Sequence, residues 1–184
     1  MSPREPTLLI DALAVLDGWV APSPSQETLR ASYAEHLRAH PEALFRSGHP
    51  DHLTASALVL SADRSRVLLT LHAKAQQWFQ FGGHLEPGDS TLGGAALREA
   101  TEESGVLALR LDPDPVHLDL HPVPFCGPRG EARHLDVRFS MTASDGMDHA
   151  VSGESLDVRW WPVAKLPTEE ASMRELVGLA LARG

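Results

Sequence analysis

Arg98-Glu99-Ala100-Thr101-Glu102-Glu103-Ser104-Gly105 sets three glutamates at i, i+3 and i+4, so a helix through them carries all three on one face. Gly105 is the natural left-handed residue just past such a helix. The acids therefore crowd its carboxyl-terminal end, where the macrodipole is negative and cations are preferred. Each should cost roughly 0.3–1 kcal/mol there, with a few tenths more for each like-charge pair. Glutamate is a good helix former and most acid runs are solvated faces, so the run alone decides little. A divalent cation at the same place would reverse the sign of all these contributions.

Upstream, Phe81-Gly82-Gly83-His84-Leu85-Glu86-Pro87-Gly88-Asp89 reads as an apolar strand entering the helix through a glycine-rich turn. Together, residues 83–106 resemble the signature of the Nudix hydrolase family. That pattern runs glycine, five residues, glutamate, seven residues, then Arg-Glu-apolar-x-Glu-Glu-x-Gly-apolar. Gly83, Arg98, Glu99, Ala100, Glu102, Glu103, Gly105 and Val106 fall in register with it. Two departures stand out: Asp89 replaces the isolated glutamate, and eight residues rather than seven separate it from Arg98. The resemblance implies an α-β-α sandwich and metal-dependent cleavage of a diphosphate linkage.

That chemistry sends water at a phosphorus carrying negative oxygens. Hard oxygen ligands hold Mg²⁺ or Mn²⁺, which neutralises those oxygens and acidifies the water. Glu99, Glu102 and Glu103 are the expected metal ligands, and the resemblance adds the backbone carbonyl of Gly82. Arg98 resembles the family's buried arginine, which orients a carboxylate by a bidentate pair; a surface helix salt bridge is the plainer role. The general base is either a helix carboxylate, Glu102 or Glu103, or Glu154 in Ser152-Gly153-Glu154-Ser155, a loop before the final strand. A merely solvated loop glutamate explains Glu154 as well. His84 is a candidate for contacting phosphate or water, or for steadying the loop. Trp78, Phe79 and Phe81 could stack on a base or sit in the core, and Lys74, Arg133 and Arg138 could meet phosphate. Asp136 and Arg138 alternate with Leu135, Val137 and Phe139, so they share a polar strand face, either pocket or solvent.

The expected substrate is a small phosphorylated molecule, a nucleoside diphosphate linked to another moiety or a related nucleotide. A non-catalytic Nudix-like domain that senses a nucleotide metabolite is the alternative, although the intact acid triad favours catalysis. Isomerisation of an isoprenoid diphosphate would want a catalytic cysteine, and Pro124-Phe125-Cys126-Gly127-Pro128 does not look like its context.

With 184 residues, 42% of them hydrophobic and 22% charged, the chain suits a soluble globular domain with a small appendage. A net charge of −9 argues against extended nucleic acid as a partner. Asp11 and Asp17 interrupt the apolar stretch 7–20, so neither a membrane span nor a secretion signal is expected. A single cysteine excludes an intramolecular disulfide, fits the reducing cytoplasm, and makes a zinc site built on cysteines unexpected. The ten histidines include no His-Glu-x-x-His motif and read as scattered surface or supporting residues.

Residues 1–50 read as a helical extension: one helix over 7–20 capped by Thr7, a second opened by Ser23, Pro24 and Gln26 as a capping box and ended at His40-Pro41. The extension is a candidate lid, substrate wall or homodimer surface, or simply core. Residues 51–184 read as the Nudix domain. Strands are expected over 53–60, 66–72, 78–81, 106–111, 116–121, 134–142 and 157–161, and 122–130 as a loop. The signature helix should begin near Ser90 or Thr91, with Gly93-Gly94 in its first turn. A last helix should follow Thr168 as cap, with Glu169 and Glu170 in its first turn. Strands interrupted by one helix and closed by another indicate α+β with a mixed sheet.

Overall fold

Two helices open the chain, α1 (Glu5–Gly18) and α2 (Pro24–Ala39), followed by a single 3-10 turn (Pro41–Leu44). The structure, a computed structural model, describes residues 5–123, 126, 132–144 and 155–183. Thr7 caps nothing, because α1 already runs from Glu5. Ser23 does cap α2, accepting the Gln26 N–H at 3.3 Å. The capping box is not closed, however. The Gln26 amide donates to the Leu118 carbonyl at 2.9 Å and accepts its N–H at 2.7 Å, as a neighbouring strand would.

There follow β1 (Asp51–Leu60), β2 (Arg66–His72), β3 (Trp78–Phe79), β4 (Phe81–His84), α3 (Leu92–Ser104), β5 (Leu109–Leu111), β6 (His117–Val123), β7 (Ala132–Ala143), β8 (Ser155–Pro162) and α4 (Ala171–Ala182). The expected strand 78–81 breaks at Gln80 because its halves have different partners, β3 pairing with β2 and β4 with β1. Of 106–111 only Leu109–Leu111 is strand, pairing with the end of β7. Pro122 and Val123 extend β6 where a loop was expected. Thr168 accepts the Glu170 N–H at 3.2 Å, but α4 starts only at Ala171, so Glu169 and Glu170 precede it.

β1 and β7 lie side by side and parallel, from Asp51 opposite Arg133 to Leu60 opposite Thr142. Across the other edge of β1, β4 pairs with Thr54, Ala55, Ser56 and Ala57, and β2 with Val59 and Leu60. Across the other edge of β7, β6 takes the first half and β5 the last residues. The eight-stranded mixed sheet therefore forks on both sides of its central pair.

Alternation along these strands sets the layers. Ala55, Ala57 and Val59 of β1 join Val137, Phe139 and Met141 of β7 in one core with Leu8, Ala12 and Leu16 of α1, Tyr33 and Leu37 of α2, and Ala96 and Ala100 of α3. Leu58 and Leu60 turn the other way, onto Met173, Leu176 and Val177 of α4. The fold is α+β, an α-β-α sandwich with an N-terminal helical part. That part touches the signature helix directly: Asp11 of α1 accepts the Leu92 N–H at 2.7 Å, one of the donors that α3 cannot satisfy itself. Among the described residues no helix is long and apolar enough to cross a membrane.

Candidate active site

Thr91 caps α3 through the Gly94 N–H at 3.0 Å, and Gly105 ends the helix with φ of 70°. The acids thus stand where the sequence predicts, with no basic residue in the last turn. Arg98 gathers two of them, Glu99 and Glu102. Its Nε and Nη2 donate to the two oxygens of Asp89 at 3.1 and 3.0 Å, a bidentate pair made in addition to an i,i+4 salt bridge along the helix. Its Nη1 donates to Glu99 at 3.0 Å and Glu102 at 3.3 Å, and lies 3.8 Å from Glu86. Its Nη2 also donates to the His84 carbonyl at 3.1 Å, which ties helix to glycine turn. Asp89 closes that turn by accepting the Glu86 N–H at 2.8 Å, so the shorter side chain and the extra residue still reach Arg98.

Glu99 is far more enclosed than Glu102, with 15% of its side chain exposed against 60%. A Cβ added to Gly83 would lie 2.6 Å from its Oε1, so the glycine is what lets the carboxylate rest against the turn. Burial raises the Glu99 carboxyl above its ordinary value; the charges of Glu102 and Glu86 push the same way, against Arg98. Four carboxylates, from Glu86, Asp89, Glu99 and Glu102, meet one guanidinium within 4 Å, an excess of three negative charges. Glu103 is half-buried on the same helix. Glu154 lies outside the described residues.

The other candidates divide. His84 points to Cys126, 3.4 Å from its Sγ, and burial above all pushes its imidazole down to about 4. Phe81 is core, and Trp78 packs edge-on against Trp161 with centroids 5.2 Å apart. Arg133 pairs with Asp51, whereas Lys74 is exposed. The polar face of Asp136 and Arg138 is neither open solvent nor free to take phosphate, since both side chains are buried in mutual contact. Asp136 accepts from Thr54 at 3.0 Å and Ser56 at 2.8 Å, and Arg138 donates to Asp119 at 2.9 Å. A depression of about 550 Å³ beside Asp17, Trp19 and Arg30 holds none of the α3 acids.

Burial alone would raise Asp119, but His121, Arg138 and Ser172 together hold its carboxyl well below the usual range. A lowered carboxyl contributes stability above its unfolded value, near 4, and loses it as pH falls through the folded one. Asp119→Asn is therefore expected to melt lower than the parent at neutral pH, with the gap narrowing as pH drops below about 4. Thermal melts across that range check this; a constant gap would rule out the linkage.

Residues 50–178 match the NUDIX domain model, well over half of the chain. No curated protein matches the sequence. Among solved structures, a NUDIX-family hydrolase from Clostridium perfringens is 22% identical with a TM-score of 0.57, covering 72% of this chain and 98% of its own. The NUDIX domain of Shewanella oneidensis NrtR, complexed with ADP ribose, is 21% identical with a TM-score of 0.57, covering 82% and 97%. A C. elegans Ap4A hydrolase is 19% identical with a TM-score of 0.59, covering 71% and 96%. The acid-bearing helix, the glycine turn before it and the matched span carry one conclusion: the chain belongs to the NUDIX family of pyrophosphate-bond hydrolases.

Proposed function

We propose that the protein cleaves the diphosphate linkage of a nucleoside diphosphate joined to another moiety, or of a related nucleotide, with Mg²⁺ or Mn²⁺ held by Glu99, Glu102, Glu103 and the Gly82 carbonyl. The observation that carries this reading is the convergence of four carboxylates on Arg98 with charge left over. A hard divalent ion suits that all-oxygen donor set, and the room Gly83 leaves for Glu99 gives one donor a fixed seat. Such an ion, when bound, neutralises phosphate oxygens and lowers the pKa of water.

The chain's own residues do the rest. Arg98 holds Asp89 and Glu99 in place and does not touch substrate. A carboxylate, either Glu102 or Glu103 of the helix or Glu154 from its loop, takes the proton of the attacking water. The 1–50 extension braces the signature helix through Asp11. That an Ap4A hydrolase and an ADP-ribose-bound domain share the fold supports a small nucleotide substrate.

Incubation with ADP-ribose, dinucleoside polyphosphates, nucleoside triphosphates and nucleotide sugars, each with Mg²⁺ and with Mn²⁺, tests the reading. Metal-dependent hydrolysis of at least one is expected. Tight binding without turnover across the panel would favour a sensor instead. On a confirmed substrate, Glu154→Gln should lower turnover and leave metal affinity nearly unchanged, because a base acts on water rather than anchoring the ion. Unchanged turnover returns the base to α3.

A further inference from the structure

Strand register assembles a second polar cluster that the hydrolase chemistry does not use. His52 of β1 and His134 of β7 are direct partners in the parallel ladder, and His84 of β4 sits opposite Thr54, two residues along β1 on the same face. Cys126, in the connection from β6 to β7, closes over them. Its Sγ is 3.6 Å from His52 Nε2 and 3.4 Å from His84 Nε2. One ligating atom from each of the four residues lies within 4.8 Å of all the others. His52 is 1% exposed and Cys126 4%.

As neutral groups these side chains satisfy one another poorly. A thiol has one proton to give, yet two imidazole nitrogens face it, and His134 Nε2 is buried with no hydrogen-bond partner. His52 Nδ1 lies 2.9 Å from the Pro50 carbonyl, which fixes the proton on that nitrogen and leaves Nε2 with a lone pair toward the sulfur. A tetrahedral zinc with nitrogen at about 2.05 Å and sulfur at about 2.3 Å separates those two ligands by about 3.6 Å. The two observed contacts match that edge.

We propose that His52, His84, His134 and Cys126 bind one zinc ion in a closed, tetrahedral, structural site distinct from the acids of α3. A thiolate and three imidazoles select a borderline-soft transition metal, whereas Mg²⁺ and Mn²⁺ prefer the oxygen donors of the helix. The ion ties Cys126 to β1, β4 and β7 and anchors His84, the residue directly after Gly82-Gly83.

Cobalt substitution tests this without relying on activity. Chelator-treated protein is titrated with Co²⁺ in excess Mg²⁺, which occupies the carboxylates. One equivalent of Co²⁺ should give intense tetrahedral visible bands and a near-ultraviolet thiolate-to-cobalt band, and Zn²⁺ should bleach both. Cys126 is the sole cysteine, so that thiolate band reports it even if a variant fails to fold. His134→Gln should weaken Co²⁺ binding at least tenfold, and Glu102→Gln should leave the spectrum unchanged. Weak octahedral bands alone, or no thiolate band in the parent, overturns the site and leaves the hydrolase reading standing.

Discussion

Glu102→Gln and Glu103→Gln should each lower kcat/KM for the confirmed substrate by roughly 10²–10³-fold at limiting metal, since even residues that only support a metal's ligands are worth about 10–100-fold. Glutamine keeps the volume and removes an anionic oxygen, so the loss comes from electrostatics rather than packing. Glu102 has 60% of its side chain exposed, and its replacement leaves the bidentate Arg98–Asp89 pair intact. The fold should therefore melt near the parent temperature while activity collapses. Excess metal should restore part of the rate, because a weakened site is filled by mass action. Full activity in both variants at limiting metal would remove the acids of α3 from the ion site.

How much could be read in advance depended on the range of each interaction. The helix, its Thr91 cap, its Gly105 stop and the face shared by Glu99, Glu102 and Glu103 arise within a few residues, where periodicity and capping rules apply. Arg98 and Asp89 were legible as a motif, although their direct pairing across an extra residue had to be seen. Contacts set by sheet register left no trace in spacing. Gln26 looks like half of a capping box and instead serves Leu118, 92 residues away. Asp11 reads as an acid interrupting an apolar helix, yet it caps α3. His52, His84, Cys126 and His134 sit at intervals that fit no helical metal motif, because strand pairing, not helical repeat, brings them together. Pairing partners also split 78–81 into two strands, which no local propensity encodes.

Neighbouring glycines in the signature turn should respond to alanine in opposite ways. At Gly82, φ is 158° and an added Cβ would lie 2.2 Å from Ser56 Cβ and 2.6 Å from Ser56 Cα. That obstacle is the central strand β1, whose Ser56 is buried and donates to Asp136 at 2.8 Å, so it cannot retreat. Gly82→Ala should cost about 3 kcal/mol or more, the upper range for overpacking with backbone strain. For a chain of this size that lowers Tm by roughly 6–12 °C. At Gly83 the three atoms nearest the added Cβ all belong to the carboxylate of Glu99, the far end of a flexible side chain. Gly83→Ala should shift Tm by roughly 2–4 °C at most, about 1 kcal/mol. It should still lower activity at least tenfold, because Glu99 can relieve the clash only by leaving its seat beside the turn. Melts and turnover of the two variants separate the roles. A Gly83→Ala protein with parental turnover would mean that the position of Glu99 against the turn does not matter to the reaction, and parental Tm in Gly82→Ala would mean that β1 yields where the packing says it cannot.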